Sequence, residues 1–224
     1  MPAPISISIL QLSRHPDIPM SIEVELAALY QKHGFGEQLG RGPRTVGVYT
    51  GCMLVPLPNI ETRRRFLKYH DLHHLVTGYS VERIGEGEIS AWELGTGSAF
   101  VSPMLGIMNL IALSTGLFPE RKRMWRAFKR GCASRNLYAA DVREAVDAGR
   151  WLDVAALRSE VLEVRASSGS TAVRALEFGM YSGLALGIHA CLAIPAVIAR
   201  FFSDTLFGGG IFQAVKPRRR TDLY

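Results

Sequence analysis

From Phe178 to Ala199 the chain runs for about twenty residues without Asp, Glu, Lys or Arg, and Met180, Leu184, Leu186, Ile188, Leu192, Ile194, Val197 and Ile198 make the run strongly apolar. A helix of that length reaches across the hydrocarbon of a bilayer. It is therefore either a membrane-spanning or embedded helix, or one buried against the body or a partner. His189, Pro195 and several Gly and Ala inside it count toward the second. If it spans, the cluster Lys216, Arg218, Arg219 and Arg220 stays cytoplasmic, because cationic flanks resist translocation. A second uncharged stretch, Leu94 to Pro119, is broken by Gly, Ser, Thr and Asn and reads as a buried core helix or pair of helices.

The charge is sorted rather than spread. Seven cations and no acids fall between Arg121 and Arg135, and four more lie in the Lys216 to Arg220 cluster; without these eleven, the net charge of +6 becomes −5. A mildly acidic body thus carries two basic patches, suited to anionic lipid, a phosphorylated ligand or nucleic acid. Nucleic acid is the poorest fit, since no helix-turn-helix pattern or aromatic β signature accompanies the cations. With 21% charged and 48% hydrophobic residues, the chain is not disordered. Cys52, Cys132 and Cys191 are far apart and form no CxxC pair, which argues against a disulfide framework or thiolate zinc site and for a reducing compartment. Residues 1–20 lack the pattern of a secretory signal, so a non-secreted protein is expected.

Periodicity predicts an all-α fold, a helical bundle with an apolar C-terminal helix. Ser21 caps a short helix that Gly34 ends; residues 35–59 read as loop with a short strand near Thr45 to Tyr49; a helix from about Ile60 to Val76 stops at Gly78, and Gly85 to Glu93 restarts it. The basic segment after Pro119 is amphipathic, with Met124, Ala127 and Phe128 on one side, and two helices follow over Asp141 to Ala148 and Leu152 to Val164. Residues 1–165 form one helical domain; 166–224 are a linker, the apolar extension and a basic tail in which Gly208 to Gly210 is a flexible turn.

Three of six histidines crowd into His70-Asp71-Leu72-His73-His74. On a helix His70 and His74 are i and i+4 and share a face, with Asp71 at its edge. Glu86 opens the next helix beyond the Gly78 turn and can reach back as a further ligand. Imidazole and carboxylate together suit zinc, and also iron, manganese or magnesium. Asp71 is a metal ligand or a proton-handling catalytic base. His73 is a substitute ligand or a bystander, and Glu88 is a rival to Glu86. His15, His33 and His189 are isolated, the last expected to pair within a bundle.

The pattern H-D-x-x-H, eleven residues, then E, present as His70, Asp71, His74 and Glu86, resembles the signature of the coenzyme Q (ubiquinone) biosynthesis protein four family, Coq-four. Arg64 to Tyr69, Gly78, Gly85, Trp92-Glu93, Gly97, Arg135 to Leu137, Gly149 to Trp151 and Leu157 to Glu160 extend the likeness across Ile60 to Val164. The resemblance implies a helical, membrane-associated protein with a divalent metal site between two adjacent helices. It further implies oxidative decarboxylation at ring carbon one of a polyprenylated hydroxybenzoate, or else a lipid-binding scaffold for a quinone-biosynthesis complex. Partners are then the polyprenyl quinone precursor, anionic membrane lipid, other quinone-biosynthesis enzymes and, as one option, a second copy in a homodimer. Arg121, Lys122, Arg126, Lys129 and Arg130, interleaved with Trp125 and Phe128, would rest on headgroups at the cytoplasmic face.

Overall fold

The computed structural model describes residues 20–33, 44–51, 53–164 and 170–207. His15, Cys52, Gly208 to Gly210 and the Lys216 to Arg220 cluster lie outside them. The described residues are mostly helical: α1 (Ile22–His33), a hairpin of β1 (Thr45–Thr50) and β2 (Met53–Pro58), then α2 (Glu61–Thr77), α3 (Arg83–Gly95), α4 (Ser98–Val101), α5 (Pro103–Leu117), α6 (Arg121–Cys132), α7 (Ala140–Asp147), α8 (Val154–Val161) and α9 (Thr171–Phe207).

Local chemistry sets the boundaries that matter for the site. The Ser21 hydroxyl accepts from the Val24 amide, capping α1. Gly78 ends α2 at φ 78°, its amide donating to the His74 carbonyl at 2.9 Å, a left-handed cap that a side chain would strain. The two strands are antiparallel, with Val48 opposite Val55. β2 escapes the sequence reading because Met53–Pro58 carries two prolines; a two-stranded hairpin has only edge strands, where a missing amide donor is tolerated.

Two apolar clusters flank the α2–α3 corner. In one, α1, α2, α7 and α8 bury Leu26, Tyr30, Phe66, Tyr69, Leu72, Val142 and Leu157. In the other, α3, α5, α6 and α9 bury Ile84, Ile89, Trp92, Leu113, Met124, Phe128, Phe178 and Tyr181. The backbones of α3 and α6 approach so closely that a Cβ on Gly131 would clash with the Trp92 carbonyl oxygen. α5 is the core helix expected of the Leu94 to Pro119 stretch, although Met104 and Ile107 near its start remain exposed.

The basic helix α6 departs from its interfacial reading. Trp125 stacks on Phe128 and packs against Phe178 of α9, so both aromatics face protein. Arg130 is equally committed: its Nε donates to Glu163 at 2.6 Å and its Nη1 to the Thr77 carbonyl at 2.9 Å. Arg121, Lys122, Arg126 and Lys129 are exposed.

α9 extends well beyond residues 178–199 on both sides. Its stretch Thr171–Ile198 is long and apolar enough to cross a membrane, with an 18-residue window of mean hydropathy 1.7, yet only 11% of that window is buried. The buried residues Phe178, Tyr181 and Ala185 form one helical stripe, and His189 Nδ1 lies 3.1 Å from the Thr50 hydroxyl of the hairpin. The helix therefore docks along one side while Leu176, Met180, Leu184, Val197 and Phe201 stay exposed. Such a helix can anchor the protein to a membrane.

Candidate metal centre

α2 and α3 bring His70, His74 and Glu86 together, one ligand atom from each lying within 4.8 Å of the others. The two Nε2 atoms are 3.4 Å apart, and each lies 3.4 to 3.5 Å from a Glu86 oxygen. Ligands about 2.1 Å from a tetrahedral ion are separated by about 3.4 Å. The group is thus dimensioned to hold a metal ion.

The nitrogen on the far side of each ring fixes its tautomer. His74 Nδ1 lies 3.1 Å from the Tyr79 carbonyl, which can only accept, so this nitrogen carries the proton. His70 Nδ1 lies 2.9 Å from Glu93 Oε1, and an ionised carboxylate likewise takes the N–H. Both Nε2 lone pairs are left for an ion. A histidine oriented by a carboxylate or carbonyl behind it is the usual support of a metal ligand.

Glu93 is wholly buried and its Oε1 also accepts from His73 Nδ1 at 2.7 Å and from the Tyr138 hydroxyl at 2.7 Å. Burial alone would raise its pKa; the charge on His70 and the hydrogen bonds from His70 and His73 outweigh it and hold the carboxyl well below its ordinary range. For Glu86, burial is likewise outweighed, by His74 and His70. Burial lowers the His70 pKa and the two carboxylates raise it more, leaving the imidazole well above its usual value. The pair of carboxylates thus favours positive charge between them. A proton on His70 supplies it, and a divalent ion on the Nε2 atoms would supply it as well.

The remaining expected residues sort differently. Asp71 stays outside the ligand group because it follows His70 by one residue, about 100° around the helix. Its carboxylate accepts from the Tyr30 hydroxyl of α1 at 2.9 Å, and burial raises its pKa. His73 is no substitute ligand: Nε2 accepts from the Leu137 amide at 2.8 Å while Nδ1 serves Glu93, and burial lowers its pKa. Glu88 points to α6, where Arg123 holds it through Nε at 2.9 Å and Nη2 at 2.6 Å, so it does not rival Glu86. In the sequence Glu93 stands only at a helix end and in the Trp92-Glu93 pair of the resemblance, and Tyr138 carries no local signal. The one local signal for Glu93 was a carboxylate two turns after Glu86 on the same helix face.

The site opens into a cavity of about 520 Å³. Its lining combines polar groups, among them Tyr30, Arg63, His70, Asp71, Glu86 and Ser90, with apolar side chains such as Val46, Leu57, Met104, Ile107 and Ile111. This is the size of a small-molecule site, with convergent polar groups set in apolar walls. No family model, curated protein or solved structure matches the chain.

Proposed function

We propose that this chain is a metal-dependent enzyme of ubiquinone biosynthesis, removing the ring carboxylate of a polyprenylated hydroxybenzoate by oxidative decarboxylation at ring carbon one: the bond to the carboxylate breaks and carbon dioxide leaves, one atom of dioxygen stays on the ring carbon, the other leaves as water, and the ring is released as the quinone. The observation that carries the reading is that His70 and Glu86 of the His70, His74 and Glu86 group line a cavity whose other lining residues are largely apolar. Three protein ligands with one side open is the arrangement of catalytic rather than structural metal sites. Two imidazoles and a carboxylate suit zinc, and also iron or manganese. When bound, a divalent ion would stabilise negative charge on a carboxylate or phenolate.

The chain's own residues do the rest. The apolar wall of Val46, Leu57, Met104 and Ile107 accepts the first isoprene units. Asp71, raised by burial and oriented by Tyr30, handles the proton of a ring hydroxyl. α9 and the exposed cations of α6 hold the protein at the cytoplasmic face of a membrane, where so apolar a substrate resides.

The test pairs elemental analysis with metabolite measurement. Purified wild type should contain about one divalent ion per chain, and the double variant His70→Ala, His74→Ala none; equal, near-zero metal in both sinks the reading. In cells depending on this chain for quinone, Asp71→Asn should accumulate the carboxylated precursor. Normal quinone levels in that variant would instead favour a lipid-presenting scaffold.

A further inference from the structure

Among the described residues, Arg63 is the one Lys or Arg that lines the cavity. It precedes Leu67 by four residues and His70 by seven, so all three lie on the stripe of α2 that faces the cavity. A guanidinium has five N–H donors. Arg63 makes one long hydrogen bond, from Nη1 to Asn59 Oδ1 at 3.4 Å. Burial opposes its charge, and the carboxylates that offset this are Asp71 and Glu86. Once Glu86 is engaged with a divalent ion, one of those two carboxylates is occupied, and the guanidinium keeps most of its donors for whatever enters the cavity.

We infer that Arg63 is the specificity-determining residue of the cavity, holding the carboxylate of an aromatic acid in a forked hydrogen bond while the ring oxygen points toward His70, His74 and Glu86. The inference rests on the reading of the cavity as a substrate site and adds the orientation of the substrate within it. Seven helical residues separate Arg63 from His70 by about 10 Å along the axis. One aromatic ring with polar substituents at opposite ends bridges that distance. The planar fork of arginine matches a carboxylate in two parallel bonds, which a neutral amide cannot accept in the same way. The apolar wall then receives the tail.

The test uses the full-length, zinc-loaded protein in detergent and two probes, a prenylated 4-hydroxybenzoate and its carboxamide, with binding measured by calorimetry. Wild type should prefer the acid by about tenfold. Arg63→Gln should bring that preference to about twofold or less, leaving carboxamide affinity and zinc content unchanged. Arg63→Lys, which keeps the charge but not the fork, should restore part of it. The inference is overturned if wild type binds both probes equally, if Arg63→Gln keeps the full preference, or if that variant weakens acid and carboxamide alike. If wild type binds neither probe, the substrate-site reading falls and takes the inference with it; in the other failures the carboxamide still binds.

Discussion

The histidine cluster on α2 has a closed side and an open side, made from residues one position apart. His73 is fully buried, its Nδ1 bound to Glu93, its Nε2 to the Leu137 amide, and its ring against Trp92 and Tyr138 at 4.9 and 4.8 Å. His74 uses Nδ1 on the Tyr79 carbonyl and turns Nε2 toward Glu86. What separates a packing imidazole from one that could hold a metal here is whether a backbone N–H claims the second nitrogen. Glu93 belongs to both sides, because one oxygen accepts from His70, His73 and Tyr138.

Removing that shared group breaks the comparison outright. Glu93→Ala leaves three donors, His73 and Tyr138 of them buried, without an acceptor, and losing one partner of a buried charged network costs about 3–5 kcal/mol. Urea unfolding should show a loss of that size together with loss of zinc. A drop below about 1 kcal/mol would separate the two sides and discard Glu93 as their hinge.

Cutting one side at a time sharpens it. His73→Ala should cost about 2–4 kcal/mol, from the cavity and the stranded Leu137 amide, while zinc still binds at full stoichiometry. His74→Ala should cost a similar amount without metal, because its side chain is also buried and its Nδ1–H bonds the Tyr79 carbonyl, but unlike His73→Ala it should lose zinc. Wild type should gain about 2.7 kcal/mol at free zinc 100 times its Kd, and His74→Ala nothing. Equal responses of the two variants to zinc would erase the distinction.

Legibility from sequence followed the range of the interaction. His70, His74 and Glu86 were readable because helix geometry and the short Gly78 turn fix their relation within seventeen residues. The all-α framework and the core helix α5 within Leu94 to Pro119 were readable from charge-free runs and apolar spacing. The partners of Glu93 and His73 were not, since Tyr138 and Leu137 arrive from 45 and 64 residues away. Asp71 was assigned to the edge of the ligand face, but only the position of Tyr30 on α1 decides where its carboxylate turns. Trp125 and Phe128 looked interfacial because nothing local announces that Phe178 covers them.

The outer face of α2 supplies the control for both sides, with the smallest expected effect. There Lys68 Nζ and the Tyr69 hydroxyl meet Asp147 of α7 at 2.8 and 2.6 Å. The Lys68 and Tyr69 hydrogen bonds hold the Asp147 carboxyl below its ordinary pKa. A depressed folded pKa adds stability that is complete above the unfolded value of about 3.9 and disappears as pH falls through the folded one. The Asp147 side chain is 51% exposed, so screening limits the contribution to about 0.5 kcal/mol. Asp147→Asn should therefore cost about that much at pH 7, and the difference from wild type should shrink steadily below about pH 4. Zinc content should be untouched, because no hydrogen bond of this pair reaches the histidines. A pH-independent loss would mean that Asp147 acts through packing rather than charge, and a loss of zinc would mean that the outer face of α2 is coupled to its open side after all.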